Sequence, residues 1–424
     1  MNQYFTYKNL NFWIIFVILF SSGFIFFKIP FEFYFHYIFL FSLTPFFLIK
    51  FGLPKYILQL FIIPFVIGLV HIALKNNLTF TFLKIFGGLL ISLIFFESLL
   101  KNYNYNILYV FELYCKACWI LVLIAIFQIL SYLIGFEYGY NYSWLLNKWG
   151  FVDGGLIGFR VNSILSEPTY LATSLSPVVF VSIRNLINND SFIFSKFKSL
   201  IIVIISILTT SSIGYLGIII SLLFSLKLFR LRYIIFAILI STSGFIISYK
   251  NVSDFSSRVN SARGLWIEED FKIENTNNSS FVLYNNLHIA KENLMKHPLF
   301  GTGLGSHETA FKKFTLTKSL IQYDFEFNVK DGNSLFVRLC TETGLIGLIF
   351  ILIIIYNGFI YKSHIQYDTD YHMIISQAIF VFILLVLIRQ GNYMLNGLPL
   401  MFLLYHYNKT SYNDKVNSSF NNKN

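Results

Sequence analysis

In the stretch GFRVNSILSEPTYLA, residues 158–172, a lone Arg160 and a lone Glu167 stand just ahead of a proline, where a polar segment enters a strongly apolar run. An arginine grips phosphate oxygens through its planar fork, and a glutamate orients or deprotonates a hydroxyl. At a boundary between lipid and water the pair therefore suits group transfer onto a hydroxyl beside an anionic leaving group. Each residue also has a structural explanation. Arg160 can snorkel and anchor a helix end, while Ser166 as N-cap, with Glu167 and Pro168 in the first turn, spells the start of a helix. A helix start facing that boundary is itself an anion site, so capping and chemistry are compatible.

Other candidates lie downstream. Arg258 and Arg263 follow an apolar run that ends near Lys250, and they either approach the same face or stand as solvated charges. The stretch HPLFGTGLGSH, 297–307, sets Gly301, Gly303 and Gly305 between His297 and His307. No Gly-Lys-Ser/Thr follows it, and no strand, helix and acidic partner frame it, so it matches neither nucleotide-binding fingerprint. It reads as a tight glycine turn, or as a loop whose N–H groups approach a phosphate or sugar with a histidine as base. His288, His297 and His307 show no metal-ligand spacing, and no metal is expected.

The stretch DGNSLFVRLCTETGLIGLI, 331–349, opens with Asp331 and Asn333 as expected caps of a returning helix. Arg338 and Glu342, four apart, form either a local ion pair or part of a site. Glu112 and Lys116 repeat that spacing inside a span, where structure is the favoured reading. Arg389, at the end of another span, adds a further cation. Cys115 and Cys118 spell C-x-x-C inside the apolar run 107–136 with no second pair, and Cys340 stands alone, so redox and zinc roles yield to small membrane-helix residues.

The elements that must position these residues are dictated by composition. Of 424 residues, 56% are hydrophobic and 12% charged, and mean hydropathy is +0.63. A soluble globule of this length is excluded, and the chain reads as an all-α, polytopic membrane protein. The net charge of +11 and pI near 9.3 do not indicate nucleic acid, because the basic residues fall in short clusters between apolar runs. The first run, 12–27, follows a polar start whose basic residue is Lys8 and precedes no small-residue cleavage site, so it is expected to remain as a span.

Apolar runs predict spans near 12–27, 33–49, 56–74, 79–100, 107–136, 163–187, 232–248, 335–356, 372–389 and 394–407. The run 199–226 would be about 42 Å long as one helix, too long for one pass and short for two. The clusters Lys50/Lys55, Arg184/Lys196/Lys198 and Lys227/Arg230/Arg232 should all face the cytoplasm. Two short passes or a re-entrant hairpin turning near TTSSIG, 209–214, satisfy that, giving about twelve crossings with both termini inside.

The expected organisation is an N-terminal bundle over 1–248, a long outer loop over 249–334, returning spans over 335–407 and a disordered cytoplasmic tail over 408–424. The loop holds ten Lys/Arg against ten Asp/Glu, and loops of this length hardly count in the charge rule. Residues 281–296 show helical apolar spacing and predict an amphipathic helix that stops at His297-Pro298.

At this point the chain resembles the Wzy-type O-antigen polymerase and O-antigen ligase family of membrane glycosyltransferases. The likeness rests on RVNSILSEPTYLA at 160–172, LTTSSIGYLG at 208–217, and HPLFGTGLGS with GNSLFVRLCTETGLIGL at 297–306 and 332–348. With the long loop these cover most of the chain from about residue 150 onward. The resemblance implies a bacterial inner-membrane enzyme that joins undecaprenyl-diphosphate-linked glycans at the periplasmic face, without metal or nucleotide cofactor. Implied partners are the lipid-linked donor and acceptor, membrane lipids, and a chain-length regulator and flippase of the same pathway, for an O-antigen of lipopolysaccharide or a capsule.

Arg160 matches the arginine of the first pattern and Glu167 its glutamate before proline. Arg258 is the choice for the loop arginine, with Arg263 in reserve. Ligase-like members carry His-Asn where this chain has Gly332-Asn333, so the base expected there is missing, and Glu167 and then His307 are the candidates. Ser212 stands where related chains often carry arginine. Catalytic roles thus fall to Arg160, Glu167, Arg258 and His307, and substrate binding to Arg263, Gly301, Gly303, Gly305, Asn333, Arg338 and Arg389. Polymerase is the leading expectation, with ligase and transporter as alternatives; a transporter should show internal repeats and ionisable residues at mid-membrane.

Overall fold

Backbone that cannot bond to water in a bilayer must bond to itself, so the apolar runs become helices. The computed structural model describes residues 12–29, 32–146, 150–226, 253–268, 278–317, 328–361 and 371–421, with isolated positions between 239 and 250. Lys227, Arg230 and Arg232 lie outside the described residues, as does most of the expected span 232–248. The first run is helical only over 12–20 (α1). Ser21, Ser22 and Gly23 end it, and a small antiparallel hairpin follows, β1 (Ile25–Phe27) with β2 (Phe33–Tyr34).

Then come α2 (Phe35–Phe51), α3 (Lys55–Ala73), α4 (Thr79–Asn102), α5 (Ile107–Leu133) and the single turn α6 (Glu137–Tyr140). After α7 (Pro168–Asn188) the double-length run folds as α8 (Lys196–Leu208) and α9 (Ser212–Ser225). The loop region contributes α10 (Ser253–Trp266), α11 (Asn278–Lys296) and α12 (His307–Phe314), and the chain closes with α13 (Leu335–Gly358), α14 (Tyr371–Arg389) and α15 (Leu398–Asn421). Among the described residues, six helices are long and apolar enough to cross a membrane: α3, α4, α5, α7, α13 and α14.

The central helix is α7, with 78% of its apolar window buried, against 11% for α3 at the periphery. Pro168 starts α7, where its missing N–H costs nothing. Pro177 inside it frees the carbonyl of Thr173, which accepts from Ser176 Oγ at 2.7 Å. α8 runs back along α7 and turns over Thr209–Ser211, with Thr210 at φ +47°, before α9 descends again beside α7. At about 20 Å apiece neither limb crosses a bilayer core alone, so the expected hairpin turn is present where the sequence set it.

The last helix departs from expectation. Residues 408–421 continue α15 rather than forming a loose tail, because Asn408 is fully buried and clasps His372. Its Nδ2 donates to His372 O at 2.7 Å, and its Oδ1 lies 2.9 Å from His372 Nδ1. Outside the main core, Leu265, Phe281, Ile289, Ala310 and Phe311 of α10, α11 and α12 form a separate apolar cluster. The expected amphipathic helix is therefore folded against its own neighbours.

Candidate functional site

The ends of α1, α5 and α14 and the starts of α2, α7, α13 and α15 meet at one end of the bundle, where the candidate residues gather. The loop entering α7 is held from below by Gln128 of α5. Its Nε2 donates to Asn162 Oδ1 at 2.9 Å, and its Oε1 accepts from Ser163 N at 3.0 Å. Asn162 Nδ2 in turn donates to Leu165 O at 2.6 Å. Within this frame Arg160 is half-buried, and its Nε donates to Thr210 Oγ1 at 3.1 Å and Thr209 O at 3.4 Å. The first and second sequence patterns thus meet in space: the arginine sits on the turn of the α8–α9 hairpin.

Glu167, not Ser166, is the N-cap of α7, and its side chain makes no capping hydrogen bond. Ser166 Oγ is buried with no partner among the described residues. Glu167 and Asp331 both lie within electrostatic reach of Arg389, the last residue of α14. The same two acids, with Glu32 and Tyr34 of the N-terminal hairpin, surround Tyr170. Tyr34 donates to Glu32, and burial together with Glu32 pushes its phenol well above the usual range, so it keeps its proton. A Cβ on Gly391 would stand 1.7 Å from Asp331 O, which shows how closely the loop after Arg389 is pressed onto the segment carrying Asp331.

The capping of α13 also differs from expectation. Ser334 is the N-cap, accepting from Val337 N at 3.3 Å. Asp331 instead accepts from Asn333 N at 3.0 Å in a turn that holds Asn333 at φ +57°.

The glycine loop is a buckle rather than an anion cradle. α13 is broken at Gly344, with φ 61° and ψ −159°, which frees backbone groups on both sides of the break. The loop takes them up. Thr302 N donates to Thr341 O at 3.1 Å and Gly303 N to Glu342 O at 2.8 Å, while Leu345 N donates to Pro298 O at 2.9 Å and Ile346 N to Leu299 O at 3.0 Å. Glycine is required by this approach: a Cβ on Gly301 would lie 2.6 Å from Thr341 O, and one on Gly303 3.0 Å from Gly68 Cα. Gly305, at φ +82°, rests likewise on Thr81. The N–H groups of Thr302 and Gly303 are therefore committed to helix carbonyls.

His307 is fully buried, with Nε2 2.9 Å from Asn286 Oδ1 and Nδ1 3.2 Å from Thr341 Oγ1. Asn286 Nδ2 donates to Val282 O, so its oxygen is the acceptor, and a neutral ring assigns its proton to Nε2. Burial, helped by Arg338, lowers the ring's pKa to about 3. Both nitrogens are occupied, which makes His307 a positioning residue for α11 and α13 and removes it as a base.

Arg338 and Glu342 form a buried pair at 2.8 Å, with side chains 3% and 0% exposed. Arg338 Nη1 also donates to Gly391 O at 2.8 Å, its guanidinium lies 4.3 Å from the Tyr393 ring centre, and Tyr393 OH donates to Glu342 Oε2 at 2.9 Å. The pair serves the bundle and not a substrate. Arg263 makes an exposed pair with Glu268 at 3.3 Å, away from this group. Arg258 lies on α10, and its side chain is outside the described residues. Cys115, Cys118 and Cys340 are free and buried, and no cluster of metal ligands occurs among the described residues.

Sequence reasoning passed over Glu32, Tyr34 and Tyr170, and saw in Asp331 only a cap. It also passed over Glu97, a buried acid of α4 at the opposite end of the bundle, which accepts from Tyr105 OH at 2.7 Å and Tyr407 OH at 3.0 Å. A lone acid inside the apolar run 79–100 was the available signal for Glu97; Glu32 gave none, lying in the short link between two apolar runs, and neither did Tyr34, one more aromatic at the start of the run 33–49. Compared with known proteins, the chain matches no family model and no curated protein.

Proposed function

We propose that this chain is a metal-independent glycan polymerase that extends undecaprenyl-diphosphate-linked oligosaccharides at the outer face of a bacterial inner membrane. The observation that carries the reading is the meeting of Glu167, Asp331 and Arg389 at the end of the bundle where Arg160 sits on the hairpin turn. It divides the labour. Arg160, on a turn of polar hydroxyls and carbonyls, is suited to the diphosphate, whereas the acids around Arg389 would repel an anion and suit a neutral hydroxyl. In the reaction the acceptor hydroxyl oxygen bonds to the anomeric carbon, the bond from that carbon to the diphosphate breaks, and the lipid diphosphate leaves with the electron pair. The hydroxyl proton passes to Glu167, whose carboxylate is not spent on capping.

Glu97, a carboxylate buried in the bundle, favours a transporter as the second reading. Deleting the gene and resolving surface polysaccharide on a gel separates the two. A single repeat unit on the acceptor lipid is the expected result, and attached glycan missing altogether points to a transporter or ligase. Restoring the gene as Arg160→Lys should leave chain extension abolished at normal protein level, because a point charge lacks the fork; full-length polymer in that strain contradicts the role given to Arg160.

A further inference from the structure

The loop between α11 and α12 comes down on the end of α3. Asn77 Nδ2 donates to Leu304 O at 2.9 Å, and a Cβ on Gly303 would stand 3.0 Å from Gly68 Cα. At the edge of this contact two histidines from different elements meet. His71, in the last turn of α3, and His297, just past α11, set their rings edge to face with centres 5.2 Å apart. Asn76 joins a lysine to them: its Nδ2 lies 3.4 Å from His71 Nδ1, and its Oδ1 accepts from Lys313 Nζ of α12 at 2.7 Å. Lys296 precedes His297, with its Nζ 4.5 Å from the ring centre of Phe314, the neighbour of Lys313. Both lysines are exposed and both histidines half-buried, so the group is open to a ligand from outside.

Among the described residues, the charges that act on the two rings are all cationic: Lys313 on both, Lys296 on His297, and His297 on His71. The nearest acid on α12, Glu308, is paired with Lys312 at 2.7 Å. Two imidazoles can ligate a metal ion, but the ammonium groups beside them disfavour one. An anion is favoured, because an imidazole N–H and an ammonium can donate to the same phosphate group. The surroundings decide what carries that phosphate. Ile63, Val66, Val70 and Leu74, three and four apart on α3, form one stripe whose members are each at least half exposed, and it leads to the turn that holds Asn76. Leu299 and Phe300, beside His297, are exposed as well. Cations above an apolar stripe at the end of a membrane-length helix match a headgroup above its acyl chains, whereas free phosphate would leave that surface uncovered. We propose that His71, His297, Lys296 and Lys313 form a site for the phosphate of an anionic diacyl phospholipid whose chains lie along α3. The site stands apart from the residues assigned to glycan transfer and does not depend on that reading.

The test titrates full-length protein in detergent with dioleoylphosphatidylglycerol or dioleoylphosphatidylcholine and counts bound lipid by native mass spectrometry. The tightest site should prefer phosphatidylglycerol by about tenfold, and His297→Gln combined with Lys313→Gln should erase that preference, the effect of one lost charge-assisted hydrogen bond. Lys313→Arg keeps the charge and should bind as the wild type does. Lys296→Gln alone should weaken binding about threefold and serves as the second variant if the double one folds poorly. Lys291→Gln, which removes an exposed lysine elsewhere on α11, should change nothing. No preference in the wild type, or a full preference kept in the double variant and in Lys296→Gln, overturns the site. Displacement of the bound lipid by millimolar inorganic phosphate would make it a free-anion site, and displacement by equimolar undecaprenyl diphosphate would hand it to the glycan carrier; either result overturns the phospholipid assignment.

Discussion

Two ion pairs in this molecule share one spacing and have opposite standing. Glu112 and Lys116 on α5 are 4.0 Å apart with side chains 34% and 59% exposed, while Arg338 and Glu342 on α13 are 2.8 Å apart and buried. Local helix rules favour the first, because an acid four residues ahead of a base suits the helix dipole and the reverse order does not. Tertiary context reverses the ranking. The loop after α14 brings Gly391 O to the guanidinium and Tyr393 to both partners, so each charge on α13 is satisfied by more than the other. Spacing decides that two side chains can meet, and the surroundings decide what the meeting is worth.

Removing one member of the α13 pair should therefore give the largest effect. Arg338→Met strands Glu342 in the interior and should cost about 3–5 kcal/mol, read as lost folded yield and a lower midpoint of thermal unfolding in detergent. Arg338→Met combined with Glu342→Met should recover much of that loss. A double variant no better than the single one would mean that burial of an unpaired charge is not the cause.

The next effect tests the frame that holds the pair. Gly301→Ala pushes a Cβ into the backbone of Thr341 to Thr343 from a positive φ and should cost more than about 2 kcal/mol by the same measurement. Gly264→Ala on α10, where a Cβ meets nothing within 4 Å, should be nearly silent. Equal effects would remove the buckle as an explanation for the glycines. Smallest of all, Lys116→Ala on α5 should shift stability by no more than about 0.5 kcal/mol; a cost approaching that of Arg338→Met would dissolve the contrast between the pairs.

The legible features were those with a local cause. The apolar runs, the helix over α11 and the turn at Thr209–Ser211 follow from hydropathy, period and length, which short windows of residues carry in full. The misread features depended on what came from far along the chain. Ser166 looks like a cap from its neighbours, but Glu167 takes the cap position without a side-chain capping bond and lies within electrostatic reach of Arg389, more than two hundred residues on. Gly301 and Gly303 look like a ligand loop until α13 is found broken beside them. His307 looks like a base until Asn286 and Thr341 occupy its ring. Asn408 reads as the start of a polar tail because its partner, His372, sits on another helix.

Arg160 and Glu167 draw the same distinction. The sequence by itself determined that a membrane-embedded, mostly helical chain carries this arginine and glutamate at the entrance to an apolar helix, since hydropathy and periodicity are local and additive. Only the tertiary structure decided their company: Arg160 on the α8–α9 turn, Glu167 with Asp331 and Arg389, and the N-terminal hairpin beside them. Electrostatic and hydrogen-bond partners depend on distance in space, and closing the bundle brings residues 32, 167, 331 and 389 into one group that no window of sequence contains.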